Sequence, residues 1–238
     1  MGRFTTTIPS NVIENSDTPN TFIPYSCPSN YGNSNQFTQN AYNTQQQNWP
    51  TVFTKPIIGI EREGVFIENN NLTLTSPSQI NFIPGSLEAI KMMRLKGYKL
   101  VIIYDEPGIQ KNKVSINQVD AINQYFMQIF GKSGILSIDG LLYSTSDLKG
   151  DAYAKPNIGM FNKAATEFNS GIVWKEGWFV GTELKDVVSA NKIGAKPVLL
   201  QTGNGKKTLR KLESVGNRTL LNETLIFDNL LEFANSLE

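Results

Sequence analysis

Histidine is absent from the 238-residue chain, and cysteine occurs once, at Cys27. Those two shortages exclude His-dependent triads, Cys/His zinc sites and intramolecular disulfides. Catalysis would fall to carboxylates, lysine, hydroxyls or a hard cation held by oxygens. Long apolar runs are also lacking, none approaching the roughly 18 residues of a membrane span. Residues 1–20 have no basic start followed by an apolar stretch, so the expectation is a soluble chain with no secretion signal and no membrane partner. An excess of one charge is missing too: 22 Lys and Arg against 21 Asp and Glu leave a net charge of +1. That balance gives no electrostatic reason to expect nucleic acid as a partner. At roughly 150 residues per domain, the length suits one substantial domain plus something smaller.

Charge is scarcest at the start. Residues 1–50 hold three charged side chains (Arg3, Glu14, Asp17), fourteen Asn or Gln and five Pro. Such a segment cannot build a core of its own. Aromatics are nevertheless spread through it, and Phe4, Phe22, Tyr25, Tyr42 and Trp49 are the candidate contact residues. The division expected is an extended Asn/Gln/Pro/aromatic-rich arm over 1–52 and an α/β domain over 53–238. The arm's composition suits docking along the surfaces of other protein subunits, with Cys27 an unpaired thiol within it.

What is present after residue 52 alternates between strand and helix patterns. The apolar runs Pro56–Ile60, Leu100–Tyr104, Ile135–Tyr143, Trp178–Gly181 and Pro197–Leu200 suit buried strands. Between them, Pro84–Gly97, Ile116–Phe130, Pro156–Phe168 and Leu184–Ile193 have helical spacing, most of them bounded by glycine or proline. This alternation predicts a parallel sheet covered on both faces, with the site beyond the carboxyl ends of the strands. Gly203-Asn204-Gly205-Lys206-Lys207 lacks the Walker spacing and reads as a turn.

The strand ends carry a set of ordered motifs: Glu61-Arg62-Glu63-Gly64-Val65, Pro84-Gly85, Lys96-Gly97-Tyr98, Tyr104-Asp105-Glu106-Pro107-Gly108, Lys155-Pro156-Asn157-Ile158-Gly159-Met160 and Val180-Gly181-Thr182-Glu183-Leu184-Lys185-Asp186. Over about residues 56–205 the chain resembles the haloacid dehalogenase superfamily of phosphohydrolases, in its histidinol-phosphate and heptose-bisphosphate phosphatase branch. The resemblance implies a Rossmann-like three-layer sandwich with a parallel central sheet and a minimal cap. It also implies a mechanism in which a first Asp attacks phosphorus and a second protonates the leaving oxygen. A hydroxyl and a lysine hold the phosphate, and magnesium bridges the first Asp, a backbone carbonyl and a further Asp.

Mapped onto those roles, Glu61 stands for the nucleophile and Glu63 for the acid, Tyr104 for the hydroxyl, Lys155 for the lysine and Thr182 for a magnesium-binding Asp. Each Glu adds a methylene, and a misplacement of about 1 Å can cost roughly 10²-fold in rate. The branch's zinc loop is replaced by Ser144-Thr145-Ser146-Asp147 and Asp151-Ala152-Tyr153. The expectation is therefore a catalytically inactive, haloacid-dehalogenase-like building block, with no cofactor, tied by its arm into a larger assembly such as a phage tail or baseplate. The alternative is a magnesium-dependent sugar-phosphate phosphohydrolase using Glu in place of the Asp pair; a third reading is a phosphate-binding module without turnover. Glu61, Glu63 and Asp186 are the weak metal candidates, with Asp105, Glu106 or Glu183 able to supply further oxygens. Asp186 also reads as a helix cap.

Overall fold

Strands buried on both faces need apolar residues at every position, and the runs seen in the sequence supply them. Residues 55–70, 72–167 and 172–238 are described in the computed structural model. The expected arm, its boundary at residue 52, and Phe4, Phe22, Tyr25, Tyr42 and Trp49 lie outside the described residues. Six strands, β1 (Lys55–Ile60), β2 (Tyr98–Asp105), β3 (Gly140–Ser144), β4 (Trp178–Gly181), β5 (Lys196–Leu200) and β6 (Leu225–Phe227), form one sheet. Its order is β3-β2-β1-β4-β5-β6, with every pairing parallel. All carboxyl ends therefore emerge on one edge.

The period-2 alternation of the strands feeds two cores. Ile58, Ile60, Leu100, Ile102 and Tyr104 face one side, under α1 (Ser86–Leu95), α2 (Ile116–Lys132) and α7 (Leu230–Ser236). Ile57, Val101, Ile103 and Phe179 face the other, under α3 (Gly159–Glu167) and α4 (Leu184–Lys192). Between β5 and β6, α5 (Gly205–Leu212) and α6 (Arg218–Glu223) extend this second layer through Leu212, Leu220 and Leu221. The expected three-layer α/β sandwich is what the chain forms. No helix among the described residues is long and apolar enough to cross a membrane.

Two boundaries and one element differ most from the sequence reading. The strand expected from Ile135 starts at Gly140, because the Asp139 carboxylate accepts the Leu100 N–H at 2.7 Å, displacing a ladder bond. The helix expected from Pro156 starts at Gly159, because the Asn157 amide donates to the carbonyls of Lys149 (3.0 Å) and Asp151 (2.7 Å) and holds a turn there. The turn at Gly203–Asn204 is present, but it opens onto α5, which had no clear helical signal.

Candidate functional site

The carboxyl edge of the sheet holds a cleft of about 240 Å³, lined among others by Glu61, Glu63, Asp105, Glu106, Thr182 and Lys185. Glu61 leaves β1, Asp105 ends β2 and Thr182 leaves β4, so the three central strands each deliver a polar group to one place. Two close approaches make this possible. Gly181 leaves room for Asp186, whose Cβ would lie 2.3 Å from a Cβ at that position. Gly64, at φ +77°, turns the chain sharply after Glu63, a conformation glycine adopts without steric cost.

Three cations organise the acids. Lys155 comes from the loop between β3 and α3 and is buried. Its Nζ donates to Asp186 Oδ1 at 2.7 Å and is ion-paired with Glu61. Lys185, in the first turn of α4, donates to Asp105 Oδ2 at 2.8 Å and lies 3.4 Å from a Glu183 carboxylate oxygen. Arg62 is buried and donates from Nε to Glu63 at 2.7 Å and from Nη2 to Glu106 at 2.6 Å. Its guanidinium lies 3.9 Å from the centre of the Tyr104 ring, and its Nη1 is buried with no hydrogen-bond partner.

Burial and charge act in opposition here. Burial lowers the Lys155 ammonium to about 8, against the pull of Asp186, so it stays protonated at neutral pH. Burial also pushes the Asp105 carboxyl up to about 6, although Lys185 opposes the shift. Burial works against ionised Asp186 as well, but Lys155 and Lys185 outweigh it and hold that carboxyl below its ordinary value. Asp186 is fully engaged: its Oδ2 accepts the N–H groups of Thr182 (3.1 Å) and Glu183 (2.9 Å) at the start of α4. This is the expected capping role.

The structure thus gathers Glu61, Glu63, Lys155, Thr182 and Asp186 at one strand-end site, with Lys155 forming its floor. Tyr104 is not part of it. Its ring points away from the cleft into the core, stacks on Tyr143 at 5.5 Å and donates its hydroxyl to Asn123 Oδ1 at 2.9 Å. The ring that stands at the family's phosphate-holding hydroxyl therefore does not reach the cleft, because strand alternation gives that face of β2 to Asp105. Arg62 and Lys185 had no role in the sequence reading. The signal for Lys185 was its place three residues after Thr182, in the first turn of a helix; Arg62, between two acids, carried none.

The same geometry tests magnesium. Among the described residues, no group of three or more Asp, Glu, Cys or His side chains is placed to hold a metal ion. Glu61 and Asp186 are bridged by Lys155. Thr182 contributes a neutral hydroxyl, placed 3.5 Å from the Glu63 carbonyl oxygen as a donor to it. Octahedral coordination at about 2.0–2.1 Å needs free, converging oxygens. As arranged, this donor set does not fit magnesium.

Comparison with known proteins gives the site a context. Residues 152–232 match the HAD-hydrolase-like family. The chain is 26% identical over 179 residues to the D-glycero-beta-D-manno-heptose-1,7-bisphosphate 7-phosphatase of Neisseria meningitidis, covering 75% of this chain and 92% of that protein. It is 27% identical over 180 residues to the enzyme of the same name from Pseudomonas putida, covering 75% and 97%. Among solved structures, it superimposes on D,D-heptose 1,7-bisphosphate phosphatase from B. bronchiseptica complexed with magnesium and phosphate, with a TM-score of 0.66 and 26% identity, over 76% of this chain and 96% of that one. These similarities overturn the expectation of an inactive structural subunit in a virion: relatives matching three quarters of the chain are named as phosphatases. The physical reason is that the substitutions at Glu61, Glu63 and Thr182 leave the strand-end constellation in place, and the one at Tyr104 falls outside the cleft.

Proposed function

We propose that this chain, a member of the haloacid dehalogenase superfamily resembling its heptose-bisphosphate phosphatase branch, is a phosphohydrolase acting on a phosphorylated sugar. The observation that carries the reading is the convergence of Glu61, Lys155 and Asp186 from three separate segments at the carboxyl edge, where open parallel sheets bind ligands. A phosphate is carried over from the B. bronchiseptica enzyme, which is complexed with magnesium and phosphate; magnesium is not.

In this reading a Glu61 carboxylate oxygen attacks phosphorus and the bond from phosphorus to the sugar oxygen breaks. The leaving oxygen takes a proton from a cleft carboxylic acid, and Asp105, pushed up to about 6, is the acid best prepared to supply it. Water then cleaves the acyl phosphate, releasing inorganic phosphate and restoring the Glu61 carboxylate. Lys155 orients Glu61 from below. Lys185, the partly exposed cation of the cleft, is the donor for phosphate oxygens.

The test is phosphate release from a panel of phosphorylated sugars that includes heptose 1,7-bisphosphate. The expected result is turnover on the order of 1 s⁻¹ for at least one member, lost in Glu61→Gln with the fold intact by circular dichroism. Background rates across the whole panel would reject the reading.

A further inference from the structure

The three cations of the cleft are all paired with acids; those of α5 are not. Lys206, Lys207, Arg210 and Lys211 are exposed on this helix, and none of them has a carboxylate partner among the described residues. With Arg218 they make five cations against the single acid Glu213 in residues 201–222, a net +4 within a chain whose total is +1. The near-neutral total conceals this concentration. We propose that the outer face of α5 binds the phosphate backbone of duplex nucleic acid, without reading its sequence.

The helix itself disfavours these residues. Lys206 and Lys207 lie in the first turn of α5, where the helix dipole favours anions. Lys206 stands at i, i+4 from Arg210, and Lys207 from Lys211, a spacing at which like charges repel. Thr208 and Leu212 are buried on the opposite side, with Leu209 packed beside Leu212, so the inner face of α5 holds the fold and the outer face does not. A surface that keeps charge its own helix disfavours fits a partner that brings the anions. Residues 1–54 do not bring them, since their acids are Glu14 and Asp17.

The chemistry of the face selects the partner. Its four cations fall within about 7.5 Å of helix axis, a density comparable to the one charge per roughly 1.7 Å of a duplex. None of the four lines the cleft, so a single sugar phosphate bound there does not neutralise them. Residues 201–226 contain no Phe, Tyr or Trp, which leaves no ring on which the bases of a single strand could stack. The leucines of α5 are turned into the protein, so the cationic face has no apolar side chain to insert into a lipid surface. Phosphate contacts made by lysine and arginine alone position a duplex but carry no sequence information.

The experiment is fluorescence anisotropy of short labelled DNA and RNA duplexes titrated with the full chain over a range of salt concentrations. The wild type is expected to bind a duplex with a Kd of about 1–100 µM at physiological salt, with log K falling against log salt at a slope of about −3 to −4. Lys206→Glu with Lys207→Glu should weaken binding at least tenfold and make the slope shallower by about 2. The melting temperature of that double variant should equal or exceed the wild type's, because acids in the first turn suit the dipole and face Arg210 and Lys211. Lys206→Gln with Lys207→Gln should weaken binding as well. Absence of duplex binding at low salt, a slope near zero, or full affinity in the Glu pair would overturn the proposal. Tighter binding to a single strand, or to vesicles of phosphatidylcholine and phosphatidylserine, would overturn it in favour of another polyanion. A lowered melting temperature in the Glu pair would make the cations part of the fold and overturn it too. No readout involves phosphate release, so each result leaves the phosphohydrolase reading where it stands.

Discussion

Lys155 and Lys185 do the same thing at two depths of one cleft. Each ammonium holds a pair of carboxylates, but Lys155 lies closed to solvent beneath Glu61 and Asp186, which line the cleft, while Lys185 and Glu183 reach the open rim. Below the cleft an unpaired ammonium has nowhere to go, so Lys155 depends on its two carboxylates and holds them in position. At the rim water can replace Glu183 and reach the Lys185 ammonium, whereas Asp105 beneath them stays buried, so the Lys185–Glu183 contact contributes little to stability and leaves the ammonium able to turn toward a ligand. Depth, rather than residue type, separates the cation that positions from the cation that binds.

The comparison predicts a graded set of effects. Lys155→Met should be the most damaging change, lowering stability by about 3–5 kcal/mol in denaturant unfolding, because it leaves two buried carboxylates uncompensated. A loss below about 1 kcal/mol would place Lys155 with the rim.

Asp105 tests the boundary between the two depths through pH. Its native value of about 6 lies above the ordinary 3.8, so the folded state holds more protons than the unfolded state between those values. Its contribution is therefore best at low pH and declines as pH rises through that window, by on the order of 2 kcal/mol. Asp105→Asn should remove that decline when unfolding free energies are compared at pH 4 and pH 7. An unchanged slope would mean that Asp105 is solvated like a rim residue.

Tyr104→Phe should cost roughly 1 kcal/mol by leaving the buried Asn123 side chain without its partner. Its turnover should match the wild type within twofold, since the ring lies outside the cleft. A large loss of turnover at full stability would return Tyr104 to the site. Lys185→Met should cost little stability at pH 4, where the buried Asp105 carboxyl it leaves behind is neutral, and more at pH 7, while weakening phosphate binding.

Much of this was legible beforehand. The parallel sheet followed from apolar runs such as Leu100–Tyr104, and the site's location from the polar residues that end them. Asp186 was readable as a helix cap, and its carboxylate does accept two N–H groups at the start of α4. What misled was the mapping at position 104. A motif comparison aligns residues along the chain and is blind to which face of the strand each one occupies, so Tyr104 was given a place in the site that alternation assigns to Asp105. The roles of Arg62 and Lys185 were hidden for a related reason: both are ordinary cations in sequence, and only their partners distinguish them.

The sequence by itself determined the strand and helix alternation, the edge at which polar groups collect and the absence of histidine and thiol chemistry from residues 55–238, because these depend on local periodicity and composition. Only the tertiary structure decided which acid meets which cation. Glu61, Lys155 and Asp186 are far apart along the chain, and their contact exists because β1, the loop after β3 and the start of α4 end at the same edge of one sheet. Whether such a charge is a fixed brace or an available ligand then depends on how much water the surrounding fold leaves it, which no stretch of sequence contains.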